Sequence, residues 1–204
     1  NQNCDGRIVS ILEGGYNLLS LKESFNTDNP LSFYAATKKS NEVMAHSYSH
    51  LYSLPCTGLR FFTVYGPFGR PDMSLFRFTK GIVNNKKIKI YNYGQHSRDF
   101  TYIDDVVDGI TSVIKKPSKN KIPFNIFNIG NGNPKRLLDY LKQIEDKLNK
   151  KAKIDSLPLQ IGDIKKTHSN ISSLKKYTKY KPKTNIKLGI GKFIDWYKYY
   201  YKIK

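Results

Sequence analysis

Short runs rich in β-branched and aromatic residues alternate along the chain with longer segments whose apolar residues recur at helical spacing. This alternation is typical of α/β domains, in which helices pack on a mostly parallel sheet. The predicted strands span 7–12, 57–65, 88–93, 98–103 and 124–129, and the predicted helices span 32–51, 74–84, 104–115, 133–149, 171–177 and 186–201. We therefore predict part of a mostly parallel sheet with a smaller mixed lobe.

Local signals place three of the helix boundaries. Pro55 ends the first helix, because proline cannot continue the hydrogen-bond ladder. Asn133 and Pro134 predict a helix start, with asparagine as N-cap and proline in the first helical position. Asp104 opens the 104–115 helix, and acidic residues in that first turn suit the helix dipole.

Positive charge is concentrated in the second half of the chain. Residues 1–114 carry 12 Lys and Arg against 10 Asp and Glu, whereas residues 115–204 carry 23 against 6. A basic surface invites a nucleic-acid interpretation, but the chain contains no RNP motif, zinc-finger spacing or homeodomain-like helix. Composition therefore favours a solvated lysine-rich surface that attracts anionic ligands such as nucleotide diphosphates.

Cysteine usage and hydropathy narrow the class of protein further. Cys4 and Cys56 form no CxxC pair and no metal-ligand pattern, which predicts free thiols in a reducing cytoplasm and no metal site. No apolar run approaches the roughly 18–20 residues of a membrane span. Residues 1–7 resemble no signal peptide and include no initiator methionine, as expected of a fragment or a trimmed chain.

One pair on the first predicted helix has the spacing of a catalytic base and its activator. Tyr34 and Lys38 are four residues apart, so they share one face of the helix. A neighbouring ammonium favours the phenolate and lowers the pKa of the phenol. Such a tyrosine can remove a hydroxyl proton while hydride leaves the same carbon. By itself, a Tyr-x-x-x-Lys spacing is also common on ordinary solvated helices.

Three linked blocks give this pair a context. Tyr34-Ala-Ala-Thr-Lys-Lys-Ser-Asn-Glu42, Gly58-Leu-Arg-Phe-Phe-Thr-Val-Tyr-Gly-Pro67 and Arg98-Asp-Phe-Thr-Tyr-Ile-Asp-Asp-Val106 resemble the extended short-chain dehydrogenase/reductase family. Within it they are most similar to NAD-dependent epimerases/dehydratases of the UDP-glucuronate 4-epimerase type. The resemblance covers about 22–201. It implies the C-terminal part of a Rossmann-like parallel sheet and a small mixed α/β substrate lobe.

The resemblance also implies a reaction and a set of residues. NAD would take hydride from C4 of a UDP-sugar while Tyr34 takes the O4 proton and Lys38 tunes Tyr34 and binds the nicotinamide ribose. Thr63 would face the sugar, and Asp163 would lie near the ribose or uracil. Arg70 and Arg98 would lie near the sugar acid and the diphosphate, since a guanidinium binds either anion through two donors.

Other expected parts are not recognisable. Enzymes of this family begin with a Gly-rich turn that holds the NAD pyrophosphate at a helix N-terminus, and no such turn occurs in the sequence. Nor does a Ser/Thr-rich strand end precede Tyr34. We therefore expect a partial epimerase over 22–204 that is inactive alone and does not bind NAD detectably.

The first 21 residues look unrelated to the rest. Residues 6–21 resemble a late strand and Glu-Gly-Gly-Tyr turn of histone-deacetylase-type enzymes, with Tyr16 at the position of their carbonyl-polarising tyrosine. The zinc-binding segments of that family are absent, so deacetylase activity is not expected. A join between unrelated gene fragments near 18–22 would explain this pattern, and coincidence in a Gly-rich turn is the alternative.

Two other functional hypotheses stay open at this point. One is a non-catalytic module that binds nucleotides or nucleic acid through its basic half, although nucleic acid is not favoured. The other is a sugar 4,6-dehydratase, which needs an acidic pair that Thr27-Asp28-Asn29 does not supply in the right context. The partners expected of the epimerase are a UDP-sugar and a second copy of the chain, paired through the helix at 33–52.

Overall fold

The computed structural model describes residues 8–13, 30, 32–160 and 163–203. For residues 8–13 the description covers the backbone. The strands are β1 (Ile8–Glu13), β2 (Cys56–Phe61), β3 (Thr63–Tyr65), β4 (Lys87–Ile90), β5 (Ser97–Arg98), β6 (Phe100–Tyr102), β7 (Phe124–Ile129), β8 (Lys135–Arg136) and β9 (Lys153–Ser156). The helices are α1 (Phe33–Tyr52), α2 (Ser74–Val83), α3 (Ile103–Ile114), α4 (Leu137–Leu148), α5 (Ser172–Thr178) and α6 (Ile186–Tyr200).

A three-stranded parallel sheet forms one side of the fold, in the order β1-β2-β7. Cys56 at the start of β2 pairs with Ile8 of β1 on one side and with Phe124 of β7 on the other. Parallel neighbours require long crossover connections, which here contain the helices. The predicted α/β class and the predicted parallel sheet are therefore confirmed.

Helix α1 is fastened to this sheet by a buried ion pair. Its N-terminus is capped by Ser32, whose hydroxyl accepts a hydrogen bond from the Ala35 amide at 3.1 Å. One turn beyond Lys38, the buried Glu42 carboxylate binds Arg60 of β2 through two contacts of 2.6 and 2.7 Å. This bidentate pair fixes the rotation of α1 and thus the face that carries Tyr34.

The single strand predicted over 57–65 is two strands. At the break, Phe62 donates to the Ile129 carbonyl of β7, and Thr63 donates instead to the carbonyl of Asp99. β3 then pairs in parallel with β6 in a separate two-stranded sheet. The change of partner carries the chain out of the large sheet and into the second lobe.

Two apolar cores lie on either side of this break. The smaller one joins β2 and β7 to α3 and α5, around Leu59, Ile129 and Leu174. The larger one joins α2, α4 and α6 to β3, β4 and β6, with Tyr140 stacked on Phe100 at 3.9 Å between ring centroids. This second core belongs to the small mixed lobe predicted from the sequence.

Some local predictions were wrong. Helix α4 begins at Leu137, because Lys135 and Arg136 pair in antiparallel with Arg98 and Ser97 before the helix can start. The 88–93 strand ends at Ile90 and continues as a 3₁₀ turn. Strand β9, which pairs with β4, was not predicted. Residues 1–7 and 14–29 lie outside the described part, so the structure describes nothing of Tyr16 or the 27–29 segment.

Candidate functional site

A cavity of about 570 Å³ opens where the two lobes meet. Its walls are the end of β2, the start of β3, the loop from Gly66 to Met73, and parts of 98–103 and 163–167. The residues predicted from sequence that line it are Tyr34, Thr63, Arg70, Arg98 and Asp163. Of the six predicted site residues, Lys38 alone is not part of this lining. Residues more than 120 positions apart in sequence thus converge on one pocket.

Tyr34 stands in the first turn of α1 with 44% of its surface exposed. The Lys38 ammonium lies 5.3 Å from the centroid of the Tyr34 ring. Lys38 itself is half-buried just outside the cavity lining. The predicted shared face of the helix is therefore confirmed, with the Lys38 ammonium close to the Tyr34 ring.

Arg98 and Asp163 form a partly buried ion pair in the cavity wall. An Nη2 donor of Arg98 lies 3.0 Å from Oδ1 of Asp163, and Nη1 donates to the carbonyls of Ser97 and Lys165. Burial lowers the pKa of Arg98, and the Asp163 carboxylate opposes that change. The pair lines the cavity, so it is not an ordinary exposed surface salt bridge.

Sequence reasoning missed His96, which stands behind this pair. The imidazole is buried, and its Nε2 lies 3.1 Å from Oδ2 of Asp163. Burial is the largest cause that lowers the pKa of His96; Arg98 lowers it further, and Asp163 acts to raise it. A lone histidine between a glutamine and a serine gives no sequence signal of this contact.

The loop from Gly66 to Arg70 is held in an unusual backbone conformation. Gly66 has a φ of +150°, and a Cβ atom there would lie 2.5 Å from a methyl group of Ile103. Phe68 has a φ of +60° although it is aromatic, and 80% of its surface is exposed. Bulky residues rarely adopt positive φ, and such backbone strain is concentrated at functional sites.

Arg70 extends from this loop with its guanidinium paired to Asp72. The two contacts are 3.1 Å (Nε to Oδ1) and 2.6 Å (Nη2 to Oδ2), and both side chains are largely exposed. Hydrogen bonding to Arg70 lowers the pKa of Asp72. Asp72 thus holds the Arg70 guanidinium in place through two hydrogen bonds. The same guanidinium geometry fits the carboxylate of a ligand.

Two buried carboxylates hold the segments around the cavity. Asp99 is fully buried and accepts hydrogen bonds from the amides of Asn131, Gly132 and Ser169 and from the Ser169 hydroxyl, at 2.7–3.0 Å. Asp105 accepts from the amides of Lys183 and Thr184, both at 3.0 Å. Asp105, which lies with Asp104 in the first turn of α3 as the sequence predicted, also holds the segment that leads into α6.

Among the residues that the structure describes, no group of three or more His, Cys, Asp and Glu side chains is arranged to hold a metal ion. None of the helices described is both long and apolar enough to cross a bilayer.

The chain is similar to one known protein family and to several of its members. The model of the NAD dependent epimerase/dehydratase family matches residues 17–130. Protein CapI of Staphylococcus aureus is 53% identical over 88% of this chain and 58% of its own length. The probable UDP-glucuronate 4-epimerase of Rhizobium meliloti is 39% identical over 95% of this chain and 61% of its own length.

Solved structures agree with the sequence comparisons. A UDP-glucuronic acid 4-epimerase from Bacillus cereus, in complex with UDP-glucuronic acid and NAD, superposes with a TM-score of 0.86 at 32% identity. The match covers 95% of this chain and 62% of the Bacillus chain. A dTDP-glucose 4,6-dehydratase from Bacillus anthracis has a TM-score of 0.83 at 23% identity, which shows a shared fold alone. The chain thus spans about 60% of the length of such relatives.

Proposed function

Since the chain belongs to the NAD-dependent epimerase/dehydratase family, we propose that it forms the substrate side of a UDP-sugar 4-epimerase, with UDP-glucuronate as the sugar nucleotide. The observation that carries this proposal is the convergence of Tyr34, Arg70 and Arg98 on one cavity. A base and two anion-binding side chains around one pocket suit a substrate that carries a hydroxyl to be oxidised, a carboxylate and a diphosphate.

Tyr34 is the base of the proposed reaction. Its phenolate accepts the O4 proton as C4 is oxidised, and returns a proton to O4 when C4 is reduced from the other face. The Lys38 ammonium, 5.3 Å from the ring centroid, stabilises the phenolate. Thr63, at the start of β3, offers a hydroxyl to the sugar.

Each of the two arginines binds a different anionic group of the substrate. Arg70, on the loop between β3 and α2, receives the sugar carboxylate in exchange for Asp72. Arg98, held by Asp163 and two backbone carbonyls, binds the diphosphate. Asp163 lies beside Arg98 at the nucleoside end. This arrangement favours a uronic acid over a neutral sugar, because only the acid uses Arg70.

NAD is the cofactor of the proposed reaction, and it supplies the acceptor for the C4 hydride when bound. The residues fit its nicotinamide end, because the Lys38 ammonium lies beside Tyr34 and would donate hydrogen bonds to the hydroxyls of a bound nicotinamide ribose. The sequence has no Gly-rich turn to hold the pyrophosphate. We therefore expect these 204 residues alone not to turn over the substrate.

We propose separately that residues 6–21 derive from an unrelated gene fragment. Its resemblance to a deacetylase strand supports a join with the epimerase part near 18–22. Amplification of genomic DNA across that position would give one continuous product if the join is real. Absence of a product across it, while each side amplifies separately, would identify it as an assembly error.

A hybrid enzyme tests the catalytic assignment. The N-terminal part of the Bacillus cereus 4-epimerase, joined to residues 32–203 of this chain, should interconvert UDP-glucuronate and its 4-epimer. Tyr34→Phe should lower kcat by about 100-fold or more. Tyr199→Phe, at an exposed tyrosine on α6, is the matched control and should retain activity. Full activity in Tyr34→Phe would contradict the proposed role.

A further inference from the structure

We infer that His96 is a positioning residue that sets, through Asp163, how much positive charge Arg98 presents to the cavity. The inference rests on the proposed function for the identity of the anionic ligand. Its structural basis, the contact between His96 and Asp163, is independent of any ligand.

The Asp163 carboxylate lies between two cationic or potentially cationic groups. Oδ1 is 3.0 Å from Nη2 of Arg98, and Oδ2 is 3.1 Å from Nε2 of His96. The His96 side chain is only 4% exposed, whereas that of Asp163 is 31% exposed. The carboxylate therefore joins a buried imidazole to an arginine that lines the cavity.

Two acceptor groups lie close to the His96 ring. The backbone of Tyr91 offers its carbonyl to the ring, and Asp163 offers a carboxylate oxygen. A neutral imidazole has one N–H and satisfies one of these acceptors, whereas an imidazolium has two. Among the described residues, Nε2 lies within ion-pair distance of Oδ2 but makes no aligned hydrogen bond, so the interaction between His96 and Asp163 is electrostatic.

Two charged groups, Arg98 and Asp163, act on the ring. Burial and Arg98 lower the pKa of His96, and Asp163 raises it. The net direction is downward from the ordinary pKa of histidine, so the ring is neutral at pH 7 and gains a proton only in more acidic solution. Burial and Arg98 thus disfavour the imidazolium, whereas the Asp163 carboxylate stabilises it.

Protonation changes the cavity wall in a defined way. In the neutral state Asp163 compensates Arg98 alone. In the protonated state the carboxylate is shared by two cations, and the wall carries one more positive charge. An anion bound at Arg98 is then held more tightly. By linkage, such an anion also raises the pKa of His96.

Nuclear magnetic resonance of the imidazole signals tests the contact without any ligand. Asp163→Asn should lower the pKa of His96, because it removes the group that raises it. Arg98→Gln should raise that pKa, because it removes a cation. The imidazole signals of His46 and His50, on α1, serve as internal references. A His96 pKa that is the same in all three chains would overturn the inference.

The pH dependence of ligand affinity tests the consequence. UDP-glucuronate keeps a constant charge between about pH 5 and pH 8, because its acidic groups titrate well below that range. Its affinity for the chain should rise by about three- to tenfold as His96 is protonated. His96→Gln should abolish this rise, and His168→Gln, which removes an exposed imidazole near Gly132, should preserve it.

These two measurements separate the inference from the proposed function. A measurable affinity that does not change with pH, or a rise that persists in His96→Gln, would overturn the inference. Absence of UDP-glucuronate binding at every pH would contradict the proposed function. In that case the pKa values of His96 in the Asp163 and Arg98 variants still decide whether the positioning contact exists.

Discussion

At the scale of single residues, buried carboxylates determine the shape of the cavity walls. Asp99 accepts hydrogen bonds from both the 130–132 turn and the 167–169 segment and so joins them. The ion pair of Glu42 with Arg60 holds α1 against β2. The sequence showed Glu42 on the face of Tyr34 and Lys38, but it did not show which cation it meets. Such pairings depend on tertiary contacts between distant segments, which periodicity and spacing do not encode.

Loss of the Asp99 charge should destabilise the fold. In Asp99→Asn an amide nitrogen would face backbone N–H donors, and several charge-assisted hydrogen bonds would be lost. We expect the free energy of unfolding to fall by about 2–4 kcal/mol, measured by urea denaturation. Asp108→Asn, at an exposed acid of α3, should change it by less than about 0.5 kcal/mol. Equal stability of the two variants would contradict the role of Asp99.

Gly66 should tolerate no side chain. Gly66→Ala would place a Cβ against Ile103 and force an L-residue to a φ of +150°. We expect a destabilisation of about 1–3 kcal/mol and a weaker affinity for UDP-glucuronate, because the loop that carries Arg70 must move. The comparison variant is Gly191→Ala, on α6, where a Cβ has room. A ligand affinity unaffected by Gly66→Ala would show that the loop does not shape the site.

At the scale of elements, long periodic segments were predictable and short paired ones were not. The helices α1, α2, α3, α5 and α6 lie within one or two residues of their predicted bounds. Strand β7 matches its prediction. The two-residue strands β5 and β8 depend on pairing with distant segments: β8 pairs with β5, and β5 also bridges to Lys166. For the same reason, Asn133 and Pro134 did not start α4.

Helix α1 presents an apolar face for which we propose a second copy of the chain as the partner. Val43, Met44, Tyr48, Leu51 and Tyr52 are each more than half exposed. We expect a homodimer in sedimentation-velocity experiments and a monomer for the double variant Met44→Lys, Leu51→Lys. Leu188→Lys, at a half-exposed leucine of α6, should leave the dimer intact. A monomeric parent chain would contradict this interface.

At the scale of the whole molecule, tyrosines are buried in both cores. Burial raises the pKa of Tyr65, Tyr140 and Tyr180 far above the ordinary value, and Asp105 adds to the effect at Tyr65 and Tyr180. A phenol whose pKa is raised in the folded state keeps its proton there while the unfolded chain releases one. Stability therefore falls as pH rises above the unfolded value of about 10.

This linkage predicts an alkaline transition. The buried tyrosines should leave the free energy of unfolding nearly independent of pH up to about pH 9. Above about pH 10 they should make it fall steeply. The absorbance of tyrosinate should then rise in two stages, because the buried tyrosines ionise only as the chain unfolds. A single smooth titration of all 15 tyrosines in a chain that stays folded would contradict this account.

If the cavity between the lobes binds a UDP-sugar, a titration of the isotope-labelled chain with UDP-glucuronate will show it at the residues that line the cavity. We predict weak, saturable shifts of the backbone signals of Thr63, Arg70 and Arg98, which are lost in Arg98→Gln. We also predict no detectable response to NAD alone. The absence of any saturable shift at these residues, or shifts confined to the lysine-rich surface of 115–121, would contradict the account.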